Sequence, residues 1–484
     1  LENREQLAAW REPSGLRRIW LGIPVVLKWA GGATAAAVVV AGGVAAFAFA
    51  ADNEPEGPLD LYTGIISLNS NGEPANGRSW FPSMSADGRY VAFESTASDL
   101  VPNDTNGVSD IFVFDRHTKE MRRISVGLNG EEANGPSHRP SISADGRFVA
   151  FDSEATNLVE GDQNHTIENA LQWAHPDLAP ILDDSRPDGE VYRRRVAGSD
   201  VFVADVRDGD IELLSVTSDE EPGNLGSSFP AISGDGRFVV FESIAPNLAG
   251  VDVLRPEPPV GISPISGGAV YIRDREEGTT VSVTAKGHSD ETQWFGGGLA
   301  WISSNGRYVT FVSRAPDFAG PATHTLGLHL YLWDREEDSL TWVPVPPPPD
   351  PDSFYMVQDV SRAPVSSDGR LVAYVIRAAT DGDEPPGVFI ADVVSGEIVP
   401  VPPSGLLATD ATTLLFDDAD GGLVFDAIGS GTIWKYDIDT GEVSVLTGPE
   451  PPVLNASLSA DGAWLAGTYA QVSGRETQVF VAAR

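Results

Sequence analysis

A repeating pattern of polar turns and apolar runs extends from about residue 60 to the C-terminal end of the chain. Each repeat begins with a Ser/Asp-Gly turn followed by an apolar run. Because glycine adopts positive φ without steric cost, Asp-Gly between alternating runs predicts a β-hairpin. The clear copies are SADGRYVAF (85–93), SADGRFVAF (143–151), SGDGRFVVF (233–241), SSNGRYVTF (303–311) and SSDGRLVAY (366–374). Two degenerate copies follow at Asp420-Gly421 and Asp461-Gly462, which makes seven.

The second half of each repeat is an alternating run that closes with an aspartate, followed by a polar turn and a further run. Alternation with a period of two and enrichment in aromatic and β-branched residues predict half-buried antiparallel strands. Each repeat is therefore expected to form a four-stranded meander. The closing aspartates are Asp115, Asp205, Asp274, Asp334, Asp392 and Asp437.

The seventh copy is one strand short, and a matching segment stands at the other end of the repeat region. Residues 61–76 (LYTGIISLNSNGEPAN) resemble residues 121–134 (MRRISVGLNGEEAN), which hold the last strand of the first complete copy. A strand near Ile65 should therefore pair with the strand near Val479 and close a ring without exposed sheet edges. The sequence predicts an all-β fold with a single seven-bladed β-propeller at 60–484, or six blades if the degenerate copies form one.

An apolar segment precedes the repeats. Basic residues such as Arg17, Arg18 and Lys28 precede an uncharged run at 29–51, which is long enough to cross a bilayer as a helix. We expect a cytoplasmic segment at 1–28, one transmembrane or signal-anchor helix at 29–51 and a linker at 52–59. The charge bias then places the propeller outside the cytoplasm as a single-pass membrane protein. Cleavage after Ala50 would instead give a secreted protein.

Composition excludes several classes of function. The formal net charge of −38 and the pI of about 4.3 make nucleic acid an unfavourable partner, because phosphate backbones are repelled. The absence of cysteine excludes disulfides, thiolate metal sites and cysteine nucleophiles. No G-x-S-x-G, H-E-x-x-H or P-loop motif occurs, so no catalytic residues are assigned and a non-enzymatic role is favoured.

The repeat resembles a known family. The unit S-x-D-G-R-x-[VI]-A-F, then [DV]-[IV]-[FY]-V-x-D, then R-x-[IL]-[ST], is similar to the WD40-like (PD40) repeat of the propeller in the periplasmic protein TolB and its relatives. The resemblance covers nearly all of 60–484 and implies a β-propeller. It implies no single function, since relatives include protein-binding propellers and propellers attached to peptidases.

Candidate ligand-binding residues lie on one rim of the predicted propeller. The loops after the second and fourth strands share that rim and carry the long insertions at 165–197, 249–268 and 345–355. Loops held by a rigid scaffold are common binding sites. Trp80 and Trp294 precede first strands on this rim and are the aromatic residues we expect to be exposed for a ligand.

One loop has the spacing of a cation site. Asp104, Asn106, Ser109 and Asp110 offer oxygen ligands at near-alternate positions around a glycine, as Ca²⁺ prefers, and Asp162 repeats the start of this loop. The alternative is an Asx-turn, in which these side chains bond their own backbone.

These features predict a membrane-tethered, monomeric binding or scaffold propeller that recognises a protein or an envelope glycan through its loop-rich rim. No cofactor other than a possible Ca²⁺ is expected. The alternative is a Ca²⁺-dependent hydrolase of the propeller lactonase type, with a cation in the central channel that polarises the substrate. A propeller that acts only as a spacer is a third reading.

Overall fold

The computed structural model describes residues 36–40 and 43–47, and then residues 64–483 with internal gaps. The chain divides into two compact units, Leu1–Asp60 and Leu61–Arg484. The gaps lie at 163–197, 250–267, 285–296, 314–328, 347–354, 358–362, 379–386, 402–413, 418–421, 428–431, 447–452 and 471–476.

The described part of the first unit is a β-hairpin. Strands β1 (Ala36–Val40) and β2 (Gly43–Phe47) pair antiparallel. Both strands lie inside the segment 29–51, so the structure does not support the transmembrane helix predicted there. The valines of β1 are β-branched and favour extended backbone over helix. Among the described residues, no helix is long and apolar enough to cross a membrane. The predicted segments 1–28 and 52–59 lie outside the described residues.

The second unit contains seven four-stranded antiparallel sheets, which confirms seven blades rather than six. Blade 1 contains β4 (Ser79–Met84), β5 (Tyr90–Ser95), β6 (Asp110–Asp115) and β7 (Glu120–Arg123), and blade 2 contains β8 (Ser137–Ile142), β9 (Phe148–Ser153), β10 (Asp200–Asp205) and β11 (Ile211–Leu213). Blade 3 contains β12 (Ser227–Ile232), β13 (Phe238–Ser243), β14 (Ala269–Asp274) and β15 (Thr279–Ser282), and blade 4 contains β16 (Gly297–Ile302), β17 (Tyr308–Ser313), β18 (His329–Asp334) and β19 (Ser339–Trp342).

The remaining blades include both degenerate copies of the repeat. Blade 5 contains β20 (Tyr355–Val357), β21 (Leu371–Ala378), β22 (Gly387–Asp392) and β23 (Ile398–Pro400), and blade 6 contains β24 (Leu414–Asp417), β25 (Gly422–Ala427), β26 (Thr432–Asp437) and β27 (Val443–Val445). Blade 7 contains β28 (Val453–Leu458), β29 (Trp464–Ala470), β30 (Thr477–Ala483) and the N-terminal strand β3 (Gly64–Ile65).

The ring closes as the repeats predict. Strand β3 pairs antiparallel with β30, and Ile65 stands opposite Phe480. Next to this pair, Ser67 Oγ accepts a hydrogen bond of 3.0 Å from Val479 N. Ser125 makes the same 3.0 Å contact with the third strand of blade 1. The match between 61–76 and 121–134 therefore reflects an equivalent place in a blade, and the closure prediction is confirmed.

The hydrophobic core lies between the blades. Seven clusters of buried apolar side chains each join two neighbouring blades, including blade 7 to blade 1. Burial of one such Phe, Ile or Val side chain contributes roughly 1.5–3 kcal/mol, so the core holds the blades as one ring. In blades 1 to 4, stacked aromatic pairs join the second and third strands: Phe93–Phe112, Phe151–Phe202, Phe241–Tyr271 and Phe311–Tyr331.

The first strand of each blade is the innermost. Strands β4, β8, β12 and β16 contact one another in sequence, and β28 contacts β4. Because the strands are antiparallel, the turns after first and third strands share one rim, which we call the turn rim. The loops after second and fourth strands share the other, which we call the loop rim.

The turn rim repeats one set of contacts. In the first blade, Asp87 Oδ1 accepts hydrogen bonds from Ser85 Oγ (2.6 Å) and Arg89 N (2.9 Å), so this aspartate forms the turn as predicted. The arginine of the turn also pairs with the closing aspartate of its own blade. This pair recurs in five blades: Arg89–Asp115, Arg147–Asp205, Arg237–Asp274, Arg307–Asp334 and Arg370–Asp392.

Candidate functional site

A β-bulge interrupts the innermost strand in five blades, near the loop rim. The register of the first strand shifts in blades 1, 2, 3, 4 and 7. A bulge re-aims side chains, and a non-glycine residue at positive φ costs of order 1–3 kcal/mol, which is often found at functional sites. We call the five positive-φ residues the bulge ring: Phe81 (52°), Arg139 (54°), Phe229 (57°), Leu299 (60°) and Asn455 (50°).

Members of the bulge ring meet around the axis of the propeller. The Arg139 guanidinium carbon lies 4.0 Å from the centre of the Phe229 ring in the next blade. Phe81 is 40% exposed, which is unusual for a phenylalanine, and the Arg139 side chain is 34% exposed. The loop-rim end of the propeller axis therefore presents the phenyl group of Phe81, the guanidinium of Arg139 and further apolar surface.

Three buried carboxylates lie behind the bulge ring at the same place in the second strands of blades 1, 2 and 3. We call Glu94, Asp152 and Glu242 the acidic trio, and they are 2%, 1% and 8% exposed. Glu94 Oε2 accepts a hydrogen bond of 3.0 Å from Arg139 N, and Glu242 Oε1 accepts one of 2.7 Å from Leu299 N. Glu94 and Glu242 thus each anchor the bulge of the following blade, because a buried carboxylate needs such partners.

Asp152 differs within the trio because its partner is a guanidinium. Arg139 Nη1 donates to Asp152 Oδ2 over 2.8 Å, which holds the guanidinium between this carboxylate and the Phe229 ring. The other oxygen, Oδ1, is buried without a hydrogen-bond partner. A buried acceptor without a partner is rare in folded proteins and calls for an explanation such as a ligand or a water.

His138 completes the site. Its Nδ1 lies 2.7 Å from Glu94 Oε1, and its Nε2 is buried without a partner. Burial by itself would lower the pKa of His138, but the hydrogen bond and the negative charge of Glu94 outweigh it and raise the pKa above the ordinary value. His138 therefore keeps its positive charge to a higher pH than an ordinary histidine does.

The arrangement is suited to binding. It combines aromatic and aliphatic surface with carboxylates, one guanidinium and two buried polar atoms that lack partners. Within the part of the chain that the structure describes, no group of three or more His, Cys, Asp or Glu side chains could hold a metal ion. The lactonase-type alternative needs such a set, and it finds no support in these residues.

The two predicted ligand-binding tryptophans have different outcomes. Trp80 lies in β4 next to Phe81 and opposite Glu94, but it is half-buried, so the exposed aromatic side chain is its neighbour. Trp294 lies outside the described residues. Neither position tests ligand binding, and both stay predictions.

The loop that was predicted to bind a metal cation forms ion pairs with a positively charged side chain of the protein, Arg123. Arg123 Nη1 lies 3.0 Å from Asp104 Oδ1 and 3.4 Å from Asp110 Oδ2. Burial first, and the neighbouring charge of Asp110 second, raise the pKa of Asp104 to about 6 although Arg123 opposes this shift. The guanidinium thus holds the two aspartates together.

The other two residues of that loop have protein partners as well. Val108 N donates to Asn106 Oδ1 over 3.1 Å, which is the Asx-turn that the sequence offered as the alternative. Ser109 Oγ donates to Glu94 in the acidic trio, away from the aspartates. The structure brings Asp104, Asn106 and Asp110 together, and Ca²⁺ binding by this loop stays a prediction.

Sequence reasoning missed the bulge ring and the acidic trio, although both leave a signal. A proline follows the bulge residue in the first three blades, as Phe81-Pro82, Arg139-Pro140 and Phe229-Pro230. Proline inside a strand often marks a bulge. The trio appears as an acidic residue in the otherwise apolar second strand, where a polar group needs a special reason.

Comparisons with known proteins concern the fold. No known family model and no curated protein sequence matches this chain. The chain is similar to solved β-propellers. It matches the propeller domain of the Trilobed protease from Pyrococcus furiosus with a TM-score of 0.48 and 12% identity, covering 84% of this chain and 95% of that one.

Two further solved structures are similar at the same sequence identity. An oligogalacturonate lyase from Vibrio parahaemolyticus has a TM-score of 0.47 and 12% identity, with 86% of this chain and 95% of that chain covered. TolB from Acinetobacter baumannii has a TM-score of 0.35 and 12% identity, with 83% and 65% covered. Likenesses this distant say nothing about function, which has to be argued from the site.

Proposed function

We propose that this protein is a binding propeller that holds a segment of a partner protein at the channel mouth formed by the bulge ring and the acidic trio. The observation that carries the proposal is the bulge shared by five innermost strands. Each bulge keeps a non-glycine residue at positive φ, and one of these residues is the exposed Phe81. Backbone strain that is repeated at one end of the propeller axis is readily explained if the side chains placed there bind a partner.

The chemistry of the mouth favours a segment with apolar and basic side chains. Phe81 offers an apolar anchor, and aromatic anchors supply much of the energy in protein interfaces. Three carboxylates stand behind the ring against one guanidinium, and the whole chain carries a net charge of −38. A basic partner would be attracted over a distance and an acidic one repelled.

An envelope glycan is the second partner class, because sugar rings stack on aromatic side chains and bond to carboxylates. Tethering outside the cytoplasm through the apolar run at 29–51 belongs to the same proposal. It is supported by the length of that run and by the basic residues before it.

Selection of peptides from a random phage-displayed library on the full chain tests the proposal. We expect enriched peptides to carry a basic residue next to an apolar one. Loss of a buried phenyl ring removes about 1.5–3 kcal/mol, so Phe81→Ser should weaken binding of a selected peptide by about 10- to 100-fold. A glycan array probed with the same protein distinguishes the second partner class.

The matched control is Val394→Ser. Val394 is 80% exposed and follows a third strand, so it lies on the turn rim. This variant should bind the selected peptide like the wild type. Equal loss of binding in both variants, no loss in either, or a failure to enrich any peptide would contradict the proposal.

A further inference from the structure

Blades 1 and 2 hold equivalent pairs of buried aspartates beside the second strand–third strand loop. Asp110 and Asp200 each begin a third strand, and each accepts a hydrogen bond of 2.6 Å from the serine after the fourth strand. Asp104 and Asp162 each stand four residues after a buried leucine and directly after a residue at positive φ. The two pairs therefore occupy the same places in the repeat.

In blade 1 a guanidinium pairs with both aspartates, and it also contacts Glu132. Arg123 contacts Asp104 and Asp110 at 3.0 and 3.4 Å, and its side chain is 11% exposed. Buried carboxylates this close repel one another unless a cation stands between them. Arg123 thus marks the position of positive charge in this part of a blade.

In blade 2 the position of that arginine is occupied by leucine. Arg123 stands opposite Phe112 in its blade, and Leu213 stands opposite Phe202 in the next one. Leu213 is half-buried and packs against the core cluster between blades 1 and 2. No guanidinium can reach the second pair from this position.

The blade 2 pair is buried and incompletely bonded. Asp162 and Asp200 are 9% and 7% exposed, and Asp162 Oδ2 has no hydrogen-bond partner. Among the described residues, neither aspartate makes an ion pair. Burial raises the pKa of Asp162 to about 6, and burial together with the charge of Asp162 raises the pKa of Asp200 to about 7. Without a cation, the pair must bind a proton or bear an uncompensated charge.

We infer that Asp162 and Asp200 bind a hard divalent cation, Ca²⁺ in the first place, at the position that the Arg123 guanidinium occupies in blade 1. Carboxylate oxygens are the ligands that such ions prefer. The buried oxygen of Asp162 without a partner then has a ligand, and the leucine supplies no positive charge in its place. This site is distinct from the channel mouth and does not depend on the proposed function.

Thermal unfolding of the full chain near pH 8, in EDTA and in Ca²⁺, tests the inference. At about 1 mM Ca²⁺, the melting temperature of the wild type should rise by about 2 °C or more, because an ion that binds only the folded state stabilises it. Leu213→Arg supplies the guanidinium, so it should melt higher than the wild type in EDTA and respond no further to Ca²⁺. Leu213→Met is the matched control and should keep the response.

A second measurement does not rely on variants. Terbium luminescence and metal analysis of the dialysed wild type should give one ion per chain, displaced by Ca²⁺ and lost in Asp162→Asn. A chain that binds no metal ion and melts at the same temperature in EDTA and in Ca²⁺ would overturn the inference. The charge of the aspartate pair would then be compensated by a bound proton. A response that survives Asp162→Asn but disappears in Asp104→Asn would also overturn it, because the ion would then lie in blade 1.

Discussion

The two rims of the propeller use the same repeat in different ways. On the turn rim the contacts repeat from one blade to the next, and the Arg–Asp pair is present in blades 1 to 5. On the loop rim the copies diverge: the trio holds Glu94, Asp152 and Glu242, and blade 4 has Val312 at the same position. Contacts that recur in most blades build the ring, whereas side chains that change from blade to blade give one part of the ring its own chemistry.

The largest loss of stability is expected from a substitution of Glu94, because this residue of the loop rim also anchors the neighbouring blade. Glu94→Ala removes the partner of His138 Nδ1 and of Arg139 N, and it leaves both donors without that buried acceptor. Loss of one member of a buried polar network costs about 2–4 kcal/mol of unfolding free energy, measured by urea denaturation. Glu120→Ala is the control, since Glu120 pairs with Arg122 in the solvent and should change stability by less than about 0.5 kcal/mol. Similar losses in the two variants would show that the trio is not an anchor.

Two glycines in blade 2 allow the cost of a clash between blades to be measured separately from the cost of backbone strain. Gly146 and Gly209 have φ of 70° and 80° in turns of the same rim. A Cβ on Gly146 would collide with the Tyr90 ring of blade 1, whereas one on Gly209 would meet nothing within 4 Å. Gly209→Ala should cost about 1 kcal/mol from strain alone, and Gly146→Ala should cost at least about 1 kcal/mol more. Equal melting temperatures for the two variants would mean that the blades do not pack as described.

The Arg–Asp pairs of the turn rim should be individually weak. Arg89 forms two hydrogen bonds to Asp115 of 3.1 and 2.9 Å, but its side chain is 25% exposed. Arg89→Gln should therefore lower the unfolding free energy by about 0.5–1 kcal/mol, and the difference from the wild type should shrink in high salt. A loss that does not depend on salt would assign the effect to stacking of the Arg89 guanidinium on the Tyr90 ring instead.

The smallest predicted effect is a pH dependence at the channel mouth. The folded-state pKa of His138 is raised above its ordinary value near 6.5 by Glu94. The stabilisation is therefore complete below the unfolded pKa and is lost as pH rises through the folded pKa. The stability difference between the wild type and His138→Gln should be larger near pH 6 than near pH 8. A difference that grows with pH would contradict the His138–Glu94 interaction.

The sequence predicted the features that depend on neighbours along the chain. The Ser85–Asp87 turn, the alternating strands and the seven copies are local, and the missing strand could be recognised because 61–76 repeats 121–134. The degenerate copies in blades 6 and 7 lack the arginine of the turn, yet they retain the apolar strands that pack between blades. Those strands are sufficient to form two separate blades.

The sequence did not predict contacts that the ring creates. Glu94 and Arg139 are 45 residues apart, and only the packing of blade 1 against blade 2 brings them together. The same holds for the cation loop, where the spacing of Asp104 and Asp110 is correct for an ion but Arg123 comes from another strand. The length and hydrophobicity of the apolar run at 29–51 predict a helix, and the strands β1 and β2 in the described part of this run do not support it.

Closure of the ring brings the bulges of blade 7 and blade 1 to one channel mouth, so the proposed binding site depends on it. The chain contains no cysteine, so Ile65→Cys combined with Phe480→Cys provides a clean test. These residues stand opposite each other in the pairing of β3 with β30, at a separation that a disulfide can span. A closed ring should form an intramolecular disulfide in air without loss of fold, detected as a faster-migrating monomer on non-reducing gels. Two thiols that remain reduced in the folded monomer, or disulfide-linked dimers, would contradict it.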